Sequence, residues 1–432
     1  MTPSDVVSPT SQGRRAGPAL RLLVLAPAFP SVTQAWLDST LVLLLRSGID
    51  LHVVTMQARA GVRHPDVDQY DLLKRTSSMA GAPVLVLLRL LFRAMWRPLW
   101  AASSLRRVLS ALLSRRPRST AGGILWAAAA DAMLDMLPNP SAVHAHSMWM
   151  AWIFLPSLRL RRIPLIVTFH GHEPAGVSGL GAPLQTEILD AATLVLVNTE
   201  AALSQLRLLG FSGKHVAIIP QPIPVEHFPY RPKPSPRAGE TLHLFTVGRL
   251  HRDKGQAYAL LALARLRRNG VLAHWHFAGV GPAAGRLRVM VERLGLGTCV
   301  TFHGALTRDA LVALHSKCHI HVLPSLAASR PTEWSETQGV ANLEAQASGC
   351  IVVSTRTGGI PESIDHEMGG LLVGQRSHRE IADAIHRLLE DSNLWSQLQD
   401  GARAAVSSRF SPEAVGNRLV PELVEVMGGH RQ

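Results

Sequence analysis

Short apolar runs that alternate with longer helical segments are the feature of this sequence that most constrains its fold. Arg21-Leu-Leu-Val-Leu-Ala-Pro and Leu51-His-Val-Val-Thr-Met flank the segment from Trp36 to Gly48, whose apolar residues have helical spacing. A continuous apolar run of this length is typical of a parallel strand that is buried on both faces. A strand, a helix and a second such strand form a βαβ unit, so the chain is predicted to begin with a Rossmann-like domain.

A proline-rich segment, Pro220 to Gly239, separates two regions that share this pattern. It holds seven prolines and no helix or strand pattern, and the strand and helix alternation restarts after it. A chain of 432 residues suits two domains better than one. We therefore predict an α/β protein of two Rossmann-like βαβ domains that face each other across a cleft. The predicted parts are a disordered tail (1–18), a first domain (19–222), a linker (223–240), a second domain (241–410) and a C-terminal helix that packs back on the first domain (411–432).

The positive charge is concentrated in one part of the chain. The formal net charge is +13, and eight arginines without any acidic residue lie between Arg89 and Arg118. They alternate with leucine, tryptophan and other apolar residues, so we predict a basic amphipathic stretch over 84–118. A helix that packs in the first domain with a solvated arginine face is one interpretation, and docking on an anionic membrane is the other. The lack of counter-charges favours docking slightly. Nucleic acid is disfavoured as a partner, since net charge alone supports it.

Cysteine content and hydropathy favour a cytoplasmic protein that binds the inner face of the membrane peripherally. Three scattered cysteines cannot form a disulfide framework or a zinc site. The apolar runs stay near ten residues, whereas roughly 20 are needed to span a bilayer. No signal peptide is visible, because the run after residue 18 is interrupted by Pro27 and Pro30.

Histidines follow two predicted strands of the first domain. His146 ends Val143-His-Ala-His, and His170 and His172 follow Leu165-Ile-Val-Thr-Phe. Ligands of open α/β sheets bind beyond the carboxyl ends of the strands, so these histidines are candidates for the cleft. Each could also be an ordinary surface histidine, with His170 the best candidate. A zinc site is disfavoured because the histidines lack the i, i+4 spacing of helical zinc ligands.

A predicted strand-to-helix junction in the second domain carries two cations. Gly248-Arg-Leu-His-Arg-Asp-Lys-Gly leads into a helix predicted from Gln256 to Arg268. The free main-chain N–H groups of such a junction, together with Arg249 and Lys254, suit a diphosphate. In the alternative interpretation, Arg249 and Lys254 are ordinary solvent-exposed side chains, as basic residues after a strand commonly are. The segment is neither a Walker P-loop nor a dinucleotide-binding GxGxxG motif.

Two glutamates eight positions apart provide the sharper signal. A helix that begins near Gly339 would direct the N–H groups of residues 339–341, Val340 among them, toward an anion. Glu344 would then accept hydrogen bonds from ribose hydroxyls at about 1.5–3 kcal/mol each, and Glu336 would face a sugar ring. In the alternative interpretation, both acids only complement the helix dipole, at about 0.3–1 kcal/mol each.

These motifs together resemble the retaining glycosyltransferases of family 4, which have the GT-B fold, and the exopolysaccharide and colanic-acid type in particular. The motifs that carry the resemblance are Gly248-Arg-Leu with Lys254-Gly, Gly279-Val-Gly-Pro, Val322-Leu-Pro-Ser, Glu336-Thr-Gln-Gly, Glu344-Ala-Gln-Ala-Ser-Gly and Gly358-Gly-Ile-Pro-Glu. Phe29-Pro-Ser-Val-Thr-Gln-Ala-Trp and Thr168-Phe-His-Gly-His match the first domain more loosely. The sequence departs from the family at Val280, where an aspartate is usual, and at Gln221-Pro-Ile-Pro, which has no glycine.

The resemblance implies a hexosyltransferase that uses a nucleotide-diphospho-sugar donor without an essential metal or cofactor. Arg249 and Lys254 would stabilise the leaving diphosphate, Glu344 would bind the ribose, and Glu336, beside the main chain of Gly339, would bind the sugar. His170 would line the acceptor side. The predicted acceptor is lipid-linked or a polysaccharide in bacterial-type surface polysaccharide synthesis. The alternative function is a non-catalytic nucleotide-sugar-binding or scaffold subunit of a polysaccharide assembly.

Overall fold

The computed structural model describes residues 20–31, 34–58, 64–80, 121–171, 182–213, 215–327 and 335–429. The predicted tail over 1–18, the basic stretch over 84–118 and His172 lie outside these ranges.

The described residues of the first domain form one parallel sheet with strand order β3-β2-β1-β4-β5-β6-β7. Its strands are Arg21–Phe29 (β1), Asp50–Ala58 (β2), Thr76–Ser78 (β3), Ala142–Ala145 (β4), Leu165–Phe169 (β5), Leu194–Val197 (β6) and Val216–Ile218 (β7). Its helices are Ala35–Arg46 (α1), Pro65–Gln69 (α2), Ala121–Met136 (α3), Met148–Arg161 (α4), Ala182–Ala191 (α5) and Glu200–Leu208 (α6). β1 is central and pairs in parallel with β2 and β4, which explains its nearly continuous apolar sequence.

The second domain repeats this design with strand order β10-β9-β8-β11-β12-β13 in its described part. Its strands are Leu242–Val247 (β8), Ala273–Ala278 (β9), Val300–Gly304 (β10), Ile320–Leu323 (β11), Ile351–Thr355 (β12) and Leu371–Val373 (β13). Its helices are Gln256–Arg268 (α7), Ala284–Arg293 (α8), Arg308–Lys317 (α9), Val340–Ala347 (α10), Ile360–Ser363 (α11), His378–Glu390 (α12) and Ser392–Arg409 (α13). The predicted fold class, two parallel-sheet α/β domains, is confirmed.

Each sheet is covered on both faces. In the first domain, Leu23 and Leu25 of β1 join one buried apolar cluster, and Leu22 and Val24 join another on the opposite face. In the second domain, Leu244 of β8 and its neighbour Phe245 likewise belong to different clusters. Both domains are therefore three-layer structures in which the carboxyl ends of the strands remain open for a ligand.

A final helix, Pro412–Gly428 (α14), lies against the first domain. Its Leu419 and Leu423 share a buried cluster with Leu41 and Leu44 of α1. At Gly416 a Cβ atom would lie 3.0 Å from the side chain of Leu43, so the small residue lets the two helices approach closely. Between β7 and β8 the chain has one short 3-10 turn, Val225–His227.

None of the helices in the described ranges is long and apolar enough to cross a membrane.

Candidate donor and acceptor site

The loop after β8 reaches the loop after β11 through a glycine. The 3-10 turn Arg252–Lys254 ends at Gly255, which has φ +66° and precedes α7. A Cβ atom there would lie 1.9 Å from the carbonyl oxygen of Pro324, so a side chain at this position would separate the two loops. The close approach brings Lys254 to the carboxyl end of β11.

Lys254 and Glu336 meet at this point, although 82 positions separate them in the chain. Lys254 Nζ lies 2.5 Å from Glu336 Oε2, and Ser325 Oγ donates to the same oxygen over 3.0 Å. The Lys254 and Glu336 side chains are about 15% exposed, so the pair is partly shielded from solvent. The structure thus combines the predicted phosphate-binding cation and the predicted sugar-binding carboxylate in one place.

The main chain around Glu336 is held by the Gly358-Gly359 turn. Gly359 N donates to Glu336 O over 2.8 Å, and a Cβ atom at Gly358 would lie 1.9 Å from that oxygen. Helix α10 then begins at Val340 with Gly339 as its N-cap, at φ +78°. The predicted helix start is confirmed, and Glu336 lies three residues before the N-cap, where the first N–H groups of a helix have no partner within the helix.

Glu344 lies inside α10 and is buried, with 9% of its surface exposed. Burial raises the pKa of its carboxyl group to about 7, and the charge of Arg308 acts in the opposite direction. In contrast, Arg249 is exposed directly after Gly248 at the end of β8. Its guanidinium makes no ion pair with a described residue, whereas its carbonyl oxygen accepts from Gln256 Nε2.

His170 follows β5 and belongs to a group of aromatic side chains in the first domain. Its ring centroid lies 4.4 Å from that of Trp36 in α1, and its Nε2 lies 3.1 Å from Nδ1 of His146. Burial lowers the pKa of His170 to about 4, and burial beside His144 and His170 lowers the pKa of His146 well below its ordinary value. Both imidazoles are therefore neutral at pH 7.

Three contacts that the sequence did not reveal join the first domain to the loop that carries Glu336. The side chain of Gln338 is buried and pairs with the main chain of Gln221, accepting from N over 2.7 Å and donating to O over 3.1 Å. Thr199 Oγ1 donates to Thr337 O over 2.9 Å. At Gly171, φ +96°, a Cβ atom would lie 2.9 Å from the Thr337 side chain. His170 is thus one residue from a direct contact with the loop that carries Glu336.

A fourth group of interdomain contacts surrounds Arg308, the first residue of α9. Its Nη1 lies 3.0 Å from Asp66 Oδ2 of α2 and 2.6 Å from His227 Nδ1 of the linker. Asp38 of α1 is also buried and within electrostatic reach of Arg308 and Asp66, and burial raises the pKa of Asp38 to about 7. No sequence motif indicated this group, since its members are far apart in the chain.

Two family models match the chain. Residues 231–405 match "Glycosyl transferases group 1", and residues 40–227 match "Glycosyltransferase Family 4". The two matches cover most of both domains. The chain belongs to the family 4 glycosyltransferases.

Relatives of this glycosyltransferase chain agree with the assignment. A D-inositol 3-phosphate glycosyltransferase of Corynebacterium jeikeium is 32% identical over 267 residues, and the match spans 57% of this chain and 61% of that relative. WcaL of Escherichia coli, whose name assigns it to colanic acid biosynthesis, is 23% identical, with 92% of this chain and 98% of WcaL covered.

A solved structure has the same architecture. HepE of Anabaena, crystallised with UDP and glucose, superimposes with a TM-score of 0.71 at 17% identity, covering 94% of this chain and 99% of HepE. The predicted GT-B fold is thereby confirmed. In the described part of the chain no three histidine, cysteine or acidic side chains are arranged to hold a metal ion.

Proposed function

We propose that this glycosyltransferase moves a sugar from a nucleotide-diphospho-sugar to an acceptor hydroxyl with retention of the anomeric configuration. The observation that supports this best is the contact between Lys254 and Glu336 beside the start of α10. A cation, a carboxylate and free helix N–H groups at one point suit a ligand with an anionic part and a hydroxyl-rich part.

The diphosphate would be bound by cations and main chain. Lys254, Arg249 and the N–H groups at Gly339 and Val340 would neutralise the negative charge that develops on the leaving diphosphate. One such donor is typically worth about 2.7–4 kcal/mol in the transition state. In this proposal these side chains supply the positive charge that other enzymes take from a metal ion, and no cofactor takes part.

The sugar and the ribose would be bound by the two glutamates. Glu336 would accept hydrogen bonds from the sugar hydroxyls, held in place by Ser325 and Lys254. Glu344, deeper in α10, would accept from the ribose hydroxyls. His170 would lie on the acceptor side, next to Gly171 and the donor loop.

In the proposed reaction the acceptor oxygen attacks the anomeric carbon on the face from which the diphosphate leaves. The bond between the anomeric carbon and the diphosphate oxygen breaks, and a bond to the acceptor oxygen forms. The acceptor proton passes to the departing diphosphate oxygen. The products are the glycosylated acceptor and a nucleoside diphosphate, and the protein needs no nucleophile of its own.

Replacement of Lys254 tests the donor site. We expect Lys254→Met to lower nucleoside diphosphate release by about 10²–10³-fold, since it removes a charge that stabilises the leaving group. Lys74→Met changes an exposed lysine and should leave the rate unchanged. UDP-, GDP- and ADP-sugars would first be screened for thermal stabilisation of the protein to identify the donor. Full turnover by both Lys254→Met and Glu344→Ala would refute the site, and no turnover by the unmodified protein would favour a non-catalytic subunit.

For the acceptor we propose a lipid-linked or polysaccharide substrate at the inner face of the cytoplasmic membrane. The similarity to WcaL along nearly the whole chain supports a role in surface polysaccharide synthesis. The arginine-rich stretch supports membrane docking, because eight cations interspersed with apolar residues suit anionic lipid.

Vesicle sedimentation tests the docking. Replacement of Arg93, Arg97, Arg106 and Arg107 by glutamate should weaken sedimentation with vesicles that contain phosphatidylglycerol, since each basic residue near such a surface contributes about 1 kcal/mol. Vesicles of phosphatidylcholine alone serve as the control. Equal sedimentation of the variant and the unmodified protein would contradict the proposal.

A further inference from the structure

Gln221 lies between residues 335–339, here called the donor loop because they carry Glu336, and His170 on the proposed acceptor side, and it contacts both. Its main-chain N and O pair with the Gln338 side chain, two positions after Glu336. Its own side chain points the other way, with Nε2 3.2 Å from His170 Nδ1. Gln338 is 1% exposed, so both of its hydrogen bonds are shielded from water.

The hydrogen bonds of Gln221 determine which nitrogen of His170 carries the proton. An amide nitrogen only donates, so His170 Nδ1 accepts from Gln221 Nε2 and the proton of the neutral ring lies on Nε2. That N–H then donates to Nδ1 of His146, 3.1 Å away, and places the proton of His146 on its Nε2. One glutamine thus orients the N–H groups of two imidazoles.

The same residue connects this orientation to the donor site. Because the Gln338 side chain pairs with the main chain of Gln221, a shift of the loop from Glu336 to Gly339 stretches these two hydrogen bonds unless Gln221 moves with it. The contact between Gly171 and Thr337 adds a second link on the other side of His170. Donor loop and histidines therefore form one hydrogen-bonded unit across the domain boundary.

We propose that Gln221 is a positioning residue: its main chain holds the donor loop through Gln338, and its side chain fixes the tautomer of His170. The kinetic part of this inference rests on the proposed function, whereas the tautomer can be measured without any substrate. Gln221 takes no part in bond making or breaking. It acts through His170 and the loop that carries Glu336.

Nitrogen NMR of protein labelled with ¹⁵N-histidine tests the tautomer directly. A His170→Asn variant identifies the His170 signals. We expect the unmodified protein to show His170 protonated at Nε2 and unprotonated at Nδ1 at pH 7. In Gln221→Glu, the carboxylate accepts instead of donating, so the proton should move to Nδ1 and His170 should titrate at a higher pH. His144 and His146 are the titratable neighbours whose signals must be followed with it.

Steady-state kinetics test the coupling. Gln221→Met keeps the main-chain pair with Gln338 and removes the side-chain donor, so it should lower kcat about tenfold and leave the donor KM within about twofold. Gln338→Met releases the loop and should raise the donor KM as well. Gln397→Met replaces an exposed glutamine and serves as the matched control.

The outcomes separate this inference from the proposed function. An Nδ1-protonated His170 in the unmodified protein would overturn the inference, and so would a His170 signal that Gln221→Met and Gln221→Glu both leave unchanged. If the unmodified protein shows no turnover, the proposed function is contradicted, whereas the tautomer measurement remains valid. The tautomer of His170 in the unmodified protein can be measured even if the Gln221 variants fail to fold.

Discussion

At the scale of single residues, Glu344 illustrates how a buried carboxyl group, proposed here to bind ribose, opposes stability. Its burial disfavours the carboxylate, and the pKa rises from 4.5 to about 7 in the folded protein. A proton is therefore bound more tightly in the folded than in the unfolded state. This contribution to stability is complete below pH 4.5 and is lost as the pH rises through about 7.

Glu344→Gln should therefore stabilise the free protein and weaken donor binding. Without an ionisable group at this position, the free energy of unfolding at pH 8 should rise by on the order of 3 kcal/mol, with little change near pH 4.5. Urea unfolding at the two pH values checks this. Glu390→Gln, at an exposed position, should stay within about 0.5 kcal/mol at both. A stabilisation that is equal at both pH values would contradict the argument.

At the scale of helices and strands, the sequence predicts long periodic elements well and short polar ones poorly. The helix predicted from Gln256 to Arg268 has those limits in the structure. In contrast, residues 64–78 are mostly polar and show no helix or strand pattern, yet they contain α2 and β3. β3 has the sequence Thr-Ser-Ser and exists because it pairs with Val53 to Thr55 of β2. A local sequence pattern cannot predict a strand that is stabilised only by pairing with a neighbouring strand.

The same division holds for the candidate site. Lys254 and Glu336 could be predicted to share a site, because each follows a strand whose carboxyl end faces the cleft. Their roles remain predictions, as do those of Arg249, Glu344 and His170. The pair of Gln221 and Gln338 could not be foreseen, since it depends on how the two domains meet.

At the scale of the whole molecule, the interdomain contacts flank the proposed donor loop on several sides. Glu362, at the end of the Gly-Gly-Ile-Pro-Glu motif, accepts from the N–H groups of Glu200 and Ala201 and so caps helix α6 of the other domain. An acidic side chain at a helix N-terminus is favourable. A motif of the second domain therefore also stabilises the arrangement of the two domains.

The buried ion pair between Arg308 and Asp66 leads to a prediction about this arrangement. Both side chains are at least 93% buried, one from each domain. Removal of one partner leaves a buried charge unpaired, which typically costs about 3–5 kcal/mol. Asp66→Asn should therefore destabilise the contact between the domains and split a single calorimetric unfolding transition into two. Arg265→Met, which breaks an exposed pair within the second domain, should cost about 0–1 kcal/mol and keep one transition.

Combining Asp66→Leu with Arg308→Met distinguishes two effects: the loss of the ion pair itself, and the cost of leaving one of its charges buried without a partner. Two apolar side chains leave no buried charge, so the double variant should be more stable than Arg308→Met alone. The free energy of unfolding of Arg308→Met, Asp66→Leu and the double variant gives the coupling between the two positions. His227 contacts both partners and should weaken that coupling when replaced by alanine. Additive effects of the two single changes would show that the ion pair does not hold the domains together.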